Sequence, residues 1–117
     1  MNSVNLIGNL TKDPELKELP SGSSVCKLRL AVNDRVKQGE EWVDYVNYFD
    51  VTVFGAQGEN VAKFQSRGSK VGVSGRLRWR EWESEAGKRQ AVEVVADRVD
   101  FLTPKGDAPK ADDDIPF

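Results

Sequence analysis

Val71-Gly72-Val73-Ser74-Gly75-Arg76-Leu77-Arg78-Trp79-Arg80-Glu81-Trp82 decides how this chain is read. Its residues divide by parity. Val71, Val73, Gly75 and Leu77 fall in one set, and Arg76, Arg78, Arg80 and Trp82 in the other. Successive side chains of a strand point to opposite faces, so this period of two predicts one strand with an apolar face and a cationic, aromatic face. Trp79 has the apolar parity and is expected to pack in the core rather than to meet a ligand. Trp82 to Lys88 then reads as a hairpin loop, rich in Glu and closed by Gly87.

The flanking sequence follows the same grammar. Val4 to Leu10 is a short apolar strand ended by Thr11-Lys12-Asp13-Pro14, and Leu19 to Ser24 is a loop. Val25 to Val32 alternates, with Cys26, Leu28, Leu30 and Val32 on one face and Lys27, Arg29 and Ala31 on the other. Asp34 to Asp44 is polar around Gly39 and reads as a long hairpin loop containing Arg35 and Trp42. Tyr48 to Phe54 alternates again, with Phe49, Val51 and Val53 inward and Tyr48, Asp50, Thr52 and Phe54 outward. Glu59 to Ser66 is the one helix expected, with Val61 and Phe64 three apart and Gly68 as its C-cap. Ala91 to Ala96 and Val99 to Leu102 make the last strand, bent at Asp97-Arg98.

The order β, β, β, α, β, β in about 100 residues is that of the OB-fold, an all-β five-stranded antiparallel barrel with one short helix between its third and fourth strands. An open sandwich with an accessory helix has a similar pattern. In either, Phe49, Val51, Val53, Val71, Val73 and Leu77 suit the core, and Cys26 is a small buried hydrophobe. The outer face then carries Lys27, Arg29, Tyr48, Phe54, Arg76, Arg78, Arg80 and Trp82. Exposed rings cost free energy unless something covers them. Arginine pairs with phosphate and also stacks, and a flat ring accepts an unstacked base of any identity. No recognition helix or zinc module points to groove reading, so single strands are the natural ligand. Each ring also has a structural use. Trp82 could plug the barrel mouth, Phe54 could close the barrel or pack a subunit contact, and Trp42 is either a lid or an interface residue.

With 117 residues, one domain is expected, since two would need roughly 200. Taken as a total, the formal net charge of −2 argues against a nucleic-acid partner. It is unevenly placed. Residues 1–103 hold 15 basic and 15 acidic side chains, whereas 104–117 hold Lys105 and Lys110 against Asp107, Asp112, Asp113 and Asp114. From Lys63 to Arg80 there are six basic residues and no acidic one, a local field of one sign.

Other chemistry is excluded or disfavoured. Without histidine there is no imidazole zinc site and no Ser-His or Cys-His pair. Asp13, Asp34 and Asp50 have no metal-ligand spacing, so no catalytic residue, metal or cofactor is expected. One cysteine allows no internal disulfide. No apolar run reaches the roughly 18 residues of a membrane span, and Met1 to Leu10 lacks the pattern of a signal peptide. A cytoplasmic protein is the expectation.

Residues 104–117 contain three of the five prolines and are expected to form a short disordered linker, 104–111, and an interaction tip. Asp112, Asp113 and Asp114 precede Ile115, Pro116 and Phe117. A purely solubilising tail has no need of two apolar side chains at its end. Docking fits better: Phe117 in an apolar pocket, its carboxylate on a basic residue, and the aspartates on a basic rim.

Several segments together resemble the bacterial single-stranded DNA-binding protein family. They are Asn5-Leu6-Ile7-Gly8-Asn9-Leu10, Asp13-Pro14-Glu15-Leu16, Gly22, Leu28-Arg29-Leu30-Ala31-Val32, Asn60-Val61-Ala62, Gly68-Ser69-Lys70-Val71, Val73-Ser74-Gly75-Arg76-Leu77-Arg78 and Asp114-Ile115-Pro116-Phe117. The resemblance implies an OB-fold in residues 1–103 and a homotetramer whose first strands pair between subunits. It implies wrapping of single-stranded DNA without sequence preference in replication, recombination and repair, near the nucleoid. It implies recruitment of partner enzymes through the tip. It assigns base stacking to Tyr48, Phe54 and Trp82, the rings that strand parity also exposes, and adds Arg35 and Lys88 to the DNA-binding set. Where some members carry a further aromatic, Val36 stands close by. The family's long linker is also reduced to 104–111, which at roughly 3.5 Å per residue reaches about 28 Å at most. The tip aspartates are therefore expected to compete with DNA for the Arg76–Arg80 face. Rival readings are an RNA- or primosome-binding OB-fold, a small nuclease and a protein scaffold.

Overall fold

The computed structural model describes residues 1–103. The expected linker 104–111 and the tip from Asp112 to Phe117 lie outside the described residues. Seven elements follow one another: β1 (Val4–Leu10), β2 (Glu15–Glu18), β3 (Ser24–Gln38), β4 (Glu41–Phe54), α1 (Gly55–Phe64), β5 (Lys70–Ser84) and β6 (Gly87–Phe101). The sheet order is β1-β5-β6-β4-β3-β2, and β1 also pairs with β3, closing a five-stranded OB barrel on which β2 is a short extra edge. Closure rests on Asn9↔Ala31 and Leu10↔Leu30. Gly8 allows it, because a Cβ there would run into the Ala31 carbonyl oxygen. Among the described residues, β1 from Val4 to Gly8 has only β5 as a strand neighbour.

The core is what the alternation predicted in the barrel itself. Leu10, Cys26, Leu28, Leu30, Val51, Val53, Val61, Val71, Val73, Val94 and Ala96 form one buried cluster. Each fully buried Leu or Val side chain stabilises the fold by about 1.5–3 kcal/mol. Val61 is the plug that α1 contributes, and Gln57 ties α1 to β6 by accepting the Val99 N–H at 2.7 Å.

The core assignment for Leu77 and the packing role for Trp79 do not hold. They are 46% and 56% exposed, and Phe49 is only half-buried. The reason is the length of the strands. β5 and β6 run together as far as Ser84↔Gly87, well past the part of β5 that pairs with β1, Lys70 to Gly75. Beyond that point β1 no longer flanks β5, and every β5 residue from Arg76 to Ser84 is exposed, so core parity no longer means burial. The expected loops shrink for the same reason. Asp34 to Asp44 is not a loop but paired strand up to Gln38↔Glu41, with Gly39 turning at φ +65. The Trp82–Lys88 loop reduces to Glu85-Ala86. A two-stranded arm solvated on both faces has no hydrophobic period to reveal it.

The helix starts at Gly55 rather than Glu59, because Gly55 at φ +71 lets the chain turn straight out of β4. It ends at Phe64, and Gly68 is not its C-cap. Gly68 instead donates its N–H to the Leu10 carbonyl at 2.9 Å. The bend expected at Asp97-Arg98 is a bulge: Ser74 pairs with Arg98 but Gly75 with Ala96, leaving Asp97 unmatched. A Cβ on Gly75 would meet the Val95 carbonyl oxygen, so the bulge needs this glycine.

Candidate nucleic-acid interface

Residues directly opposite in a ladder share a face. On β5 and β6 the pairs Arg76↔Val95, Arg78↔Glu93, Arg80↔Ala91 and Trp82↔Arg89 therefore look one way. β6 runs parallel to β4 at Thr52↔Val95, and β4 continues to β3 through Lys27↔Thr52, Arg29↔Asp50 and Ala31↔Tyr48. Four strands thus present one surface with Lys27, Arg29, Tyr48, Phe54, Arg76, Arg78, Arg80 and Trp82 on it.

Glu93 lies at its centre. It is 5% exposed, and among the described residues it is the one charged side chain that is buried. Arg78 donates Nη2–H to Oε2 at 2.7 Å and Nε–H to the same oxygen at 3.3 Å. Thr52 donates its hydroxyl to Oε1 at 2.8 Å, and itself accepts from Lys27 Nζ at 3.0 Å. Lys27 Nζ also lies 3.6 Å from Oε1, and Arg80 Nε 3.7 Å from Oε2. Burial works to raise the Glu93 pKa, but hydrogen bonds from Arg78 and Thr52 and the charges of Lys27 and Arg78 outweigh it and hold the carboxyl below the usual glutamate range. Thr52 is buried despite its outward parity because Lys27 and Glu93 lie against its hydroxyl.

Three further cations are also paired within the face. Arg29 meets Asp50 at 2.9 Å, Arg76 meets the bulged Asp97 at 2.8 Å, and Arg35 meets Asp44 at 3.8 Å. These three acids are more than half exposed, so the pairs contribute little and yield readily to another anion. Three rings carry an arginine over them. Arg29 stands 5.4 Å from the Tyr48 centroid, Arg78 5.8 Å from that of Phe54, and Arg80 4.6 Å from that of Trp82. Each guanidinium holds the place of a flat cationic or aromatic ligand.

The β3–β4 ladder keeps one register along its whole length, from Val25↔Phe54 to Gln38↔Glu41. Trp42, Tyr48 and Phe54 therefore lie six residues apart on one face, with Lys37 opposite Trp42 and Arg35 opposite Asp44. At about 3.3 Å per residue the rings are spaced by roughly 20 Å. Trp42, left open between lid and interface contact by its sequence, is in line with the other rings. Lys88 is not brought together with the rest, since it pairs with Glu83 on the opposite face, while Arg89 pairs with Trp82. Lys37, Arg89 and Glu93 are the residues of this surface that sequence reasoning missed. Parity would have found Arg89 had the hairpin been drawn tight. Glu93 has no local signal, because its burial comes from β4 and β5. Among the described residues no group of three His, Cys, Asp or Glu side chains is placed to hold a metal ion.

Comparison with known proteins agrees with this architecture. Residues 1–102 match the model of the single-strand binding protein family. A single-stranded DNA-binding protein of Treponema pallidum is 40% identical over 114 residues, covering 97% of this chain and 65% of that protein. Single-stranded DNA-binding protein 2 of Staphylococcus aureus is 48% identical over 108 residues, covering 90% of this chain and 74% of the relative. The chain thus spans just under two thirds of the Treponema protein and about three quarters of the staphylococcal one. Among solved structures, a deletion mutant of the single-stranded DNA binding protein from Thermus aquaticus superposes with a TM-score of 0.81 at 32% identity, over 91% of this chain and 52% of that one. A Plasmodium falciparum SSB complex with ssDNA shares the fold, with a TM-score of 0.80 at 24% identity over 87% of this chain and 95% of that one. The relatives are named for binding and not for a reaction. The match of the family model over residues 1–102 and the 48% identity to the staphylococcal relative lead to one conclusion: the chain belongs to the single-strand binding protein family.

Proposed function

We propose that this protein binds single-stranded DNA without sequence preference along the β5-β6-β4-β3 face. Bases stack on Tyr48, Phe54, Trp82 and Trp42, and phosphates pair with Lys27, Arg29, Arg35, Arg76, Arg78 and Arg80. The observation that carries this reading is the alternation of arginine and exposed aromatic rings on one continuous surface. Ring stacking contributes about 1–3 kcal/mol per base and tolerates any base, while the cations meet the backbone. The exposed acids that partner Arg29, Arg35 and Arg76 leave those three ready to exchange carboxylate for phosphate.

Residues 1–103 form the binding and self-association unit in this proposal. The unpaired edge of β1 from Val4 to Gly8, with Ile7 exposed, suits pairing with a second copy toward a homotetramer. The tip from Asp112 to Phe117 recruits partner proteins, and the protein serves replication, recombination and repair in the cytoplasm near the nucleoid. No helix among the described residues is long and apolar enough to cross a membrane.

Quenching of the three tryptophans by poly(dT) against poly(rU) tests the central claim. Saturable quenching by poly(dT) at lower concentration than by poly(rU), weakening as salt rises, is expected. No quenching by poly(dT) at low salt would refute it.

A further inference from the structure

The acids that partner the cations of this face are of two kinds. Asp44, Asp50 and Asp97 have side chains that are 89%, 66% and 61% exposed, so each can turn to water when a phosphate takes its arginine. Glu93 cannot. It is buried in the floor between β5 and β4, fastened to Thr52, and an ionised carboxylate left there without cations would carry the full cost of desolvation. Lys27, Arg78 and Arg80 are the cations within 4.0 Å of its carboxylate among the described residues. Each of the three has a side chain 38–50% exposed, so each still presents donors to solvent.

We propose that Glu93 is a permanent internal counter-anion of the DNA-binding face, a positioning residue that stays bound to Lys27, Arg78 and Arg80 while they receive phosphate. The inference rests on the proposed single-stranded DNA binding at this face. Three cations around one fixed carboxylate act on DNA as a net charge of about two. Binding then releases fewer counterions than a count of lysines and arginines suggests. The same carboxylate holds Arg78 at 2.7 Å and aims its guanidinium across the Phe54 ring. In this way a barrel whose formal charges cancel over residues 1–103 keeps a defined set of cationic contacts.

The salt dependence of binding reads this directly. On single strands the slope of log K against log salt is about −0.7 per phosphate neutralised. Glu93→Gln frees one cationic charge without touching the DNA, so the slope steepens by about 0.7. Between 50 mM and 500 mM salt, the ratio of variant to parent affinity then falls about fivefold. Lys27→Gln removes one cation and flattens the slope by about the same amount. The double variant Lys27→Gln/Glu93→Gln returns to the parent slope, whatever its absolute affinity. Glu93→Asp keeps the charge and so the parent slope. Anisotropy of a labelled dT oligomer on the full-length chain, with circular dichroism of each variant, supplies the readings.

If Lys27→Gln flattens the slope but Glu93→Gln leaves it unchanged, the counter-anion is refuted and the DNA-binding face stands. If neither changes it, the face itself is refuted, and the counter-anion with it. If Glu93→Gln does not fold, the double variant decides: the parent slope supports the proposal, and the flatter slope of Lys27→Gln overturns it. Loss of stability alone, which a merely structural Glu93 would also cause, leaves the slope where it was and counts against the proposal.

Discussion

Replacing Trp82 by alanine separates stacking from charge on this face. The Trp82 ring is 41% exposed, and Arg80 stands over it at 4.6 Å from the centroid. A base that stacks there gains about 1–3 kcal/mol. To reach the covered side of the ring it must displace Arg80, and an exposed cation–π contact is worth about 0.5–1 kcal/mol. The net loss on Trp82→Ala is therefore about 0–2.5 kcal/mol, centred on about 1 kcal/mol or roughly fivefold in affinity. Stacking involves no counterion, so this loss is nearly the same at every salt concentration. Arg80→Gln behaves in the opposite way, losing affinity mainly at low salt and flattening the slope by about 0.7. The assay is the anisotropy of a labelled dT oligomer titrated at four or more salt concentrations, with the fold of each variant checked by circular dichroism. An unchanged high-salt affinity in Trp82→Ala, with the deficit confined to low salt, would mean that the ring only positions Arg80. The stacking assignment would then be wrong.

Four further outcomes are expected. Trp42→Ala lowers dT affinity by a similar salt-independent factor, because Trp42 is in register with Tyr48 and Phe54 on β4; an unaltered titration would leave it an interface residue. Gly75→Ala destabilises the fold by about 1–3 kcal/mol in urea unfolding, since the new methyl meets the Val95 carbonyl at the bulge, and a midpoint equal to the parent's would refute that packing. The Glu93 carboxyl titrates in the folded state below its ordinary value of 4.5, so its stabilising contribution is fully present above that pH and is lost as pH falls through the lower folded value. Thermal melts of Glu93→Gln should accordingly lose less stability on acidification below about pH 4.5 than those of the parent, and parallel curves would refute this. On the proposed competition of the tip aspartates with DNA for the Arg76–Arg80 face, deleting residues 112–117 tightens DNA binding at low salt; equal affinities would count against such competition.

How much of this was legible in the sequence differs between the barrel and its arms. Inside the barrel one side of every strand is covered, so burial imposes a period of two that any reader can recover. Val71 and Val73, Cys26, Leu28 and Leu30, and Val51 and Val53 were all placed correctly by it. The same parity put Arg76, Arg78, Arg80 and Trp82 together, and even the bulge was visible as a break at Asp97-Arg98. In the arms neither face is covered. There parity still orders the side chains but no longer predicts burial, which is why Leu77 and Trp79 came out exposed and why the polar run from Asp34 to Asp44 concealed paired strands.

By itself, then, the amino-acid sequence determined the strand count of the barrel, its core and the chemistry of its outer face, because these follow from alternation between neighbours in the chain. Only the tertiary structure decided what surrounds Glu93. Its partners come from β3, β4 and β5, as many as 66 positions away in the case of Lys27. A carboxylate in Ala91-Val92-Glu93-Val94 has no local mark of burial; it is made buried and kept ionised by strands that meet it across the closed sheet. The reach of the two arms and the alignment of Trp42 with Tyr48 and Phe54 were decided in the same way, by hydrogen-bonded register between distant segments.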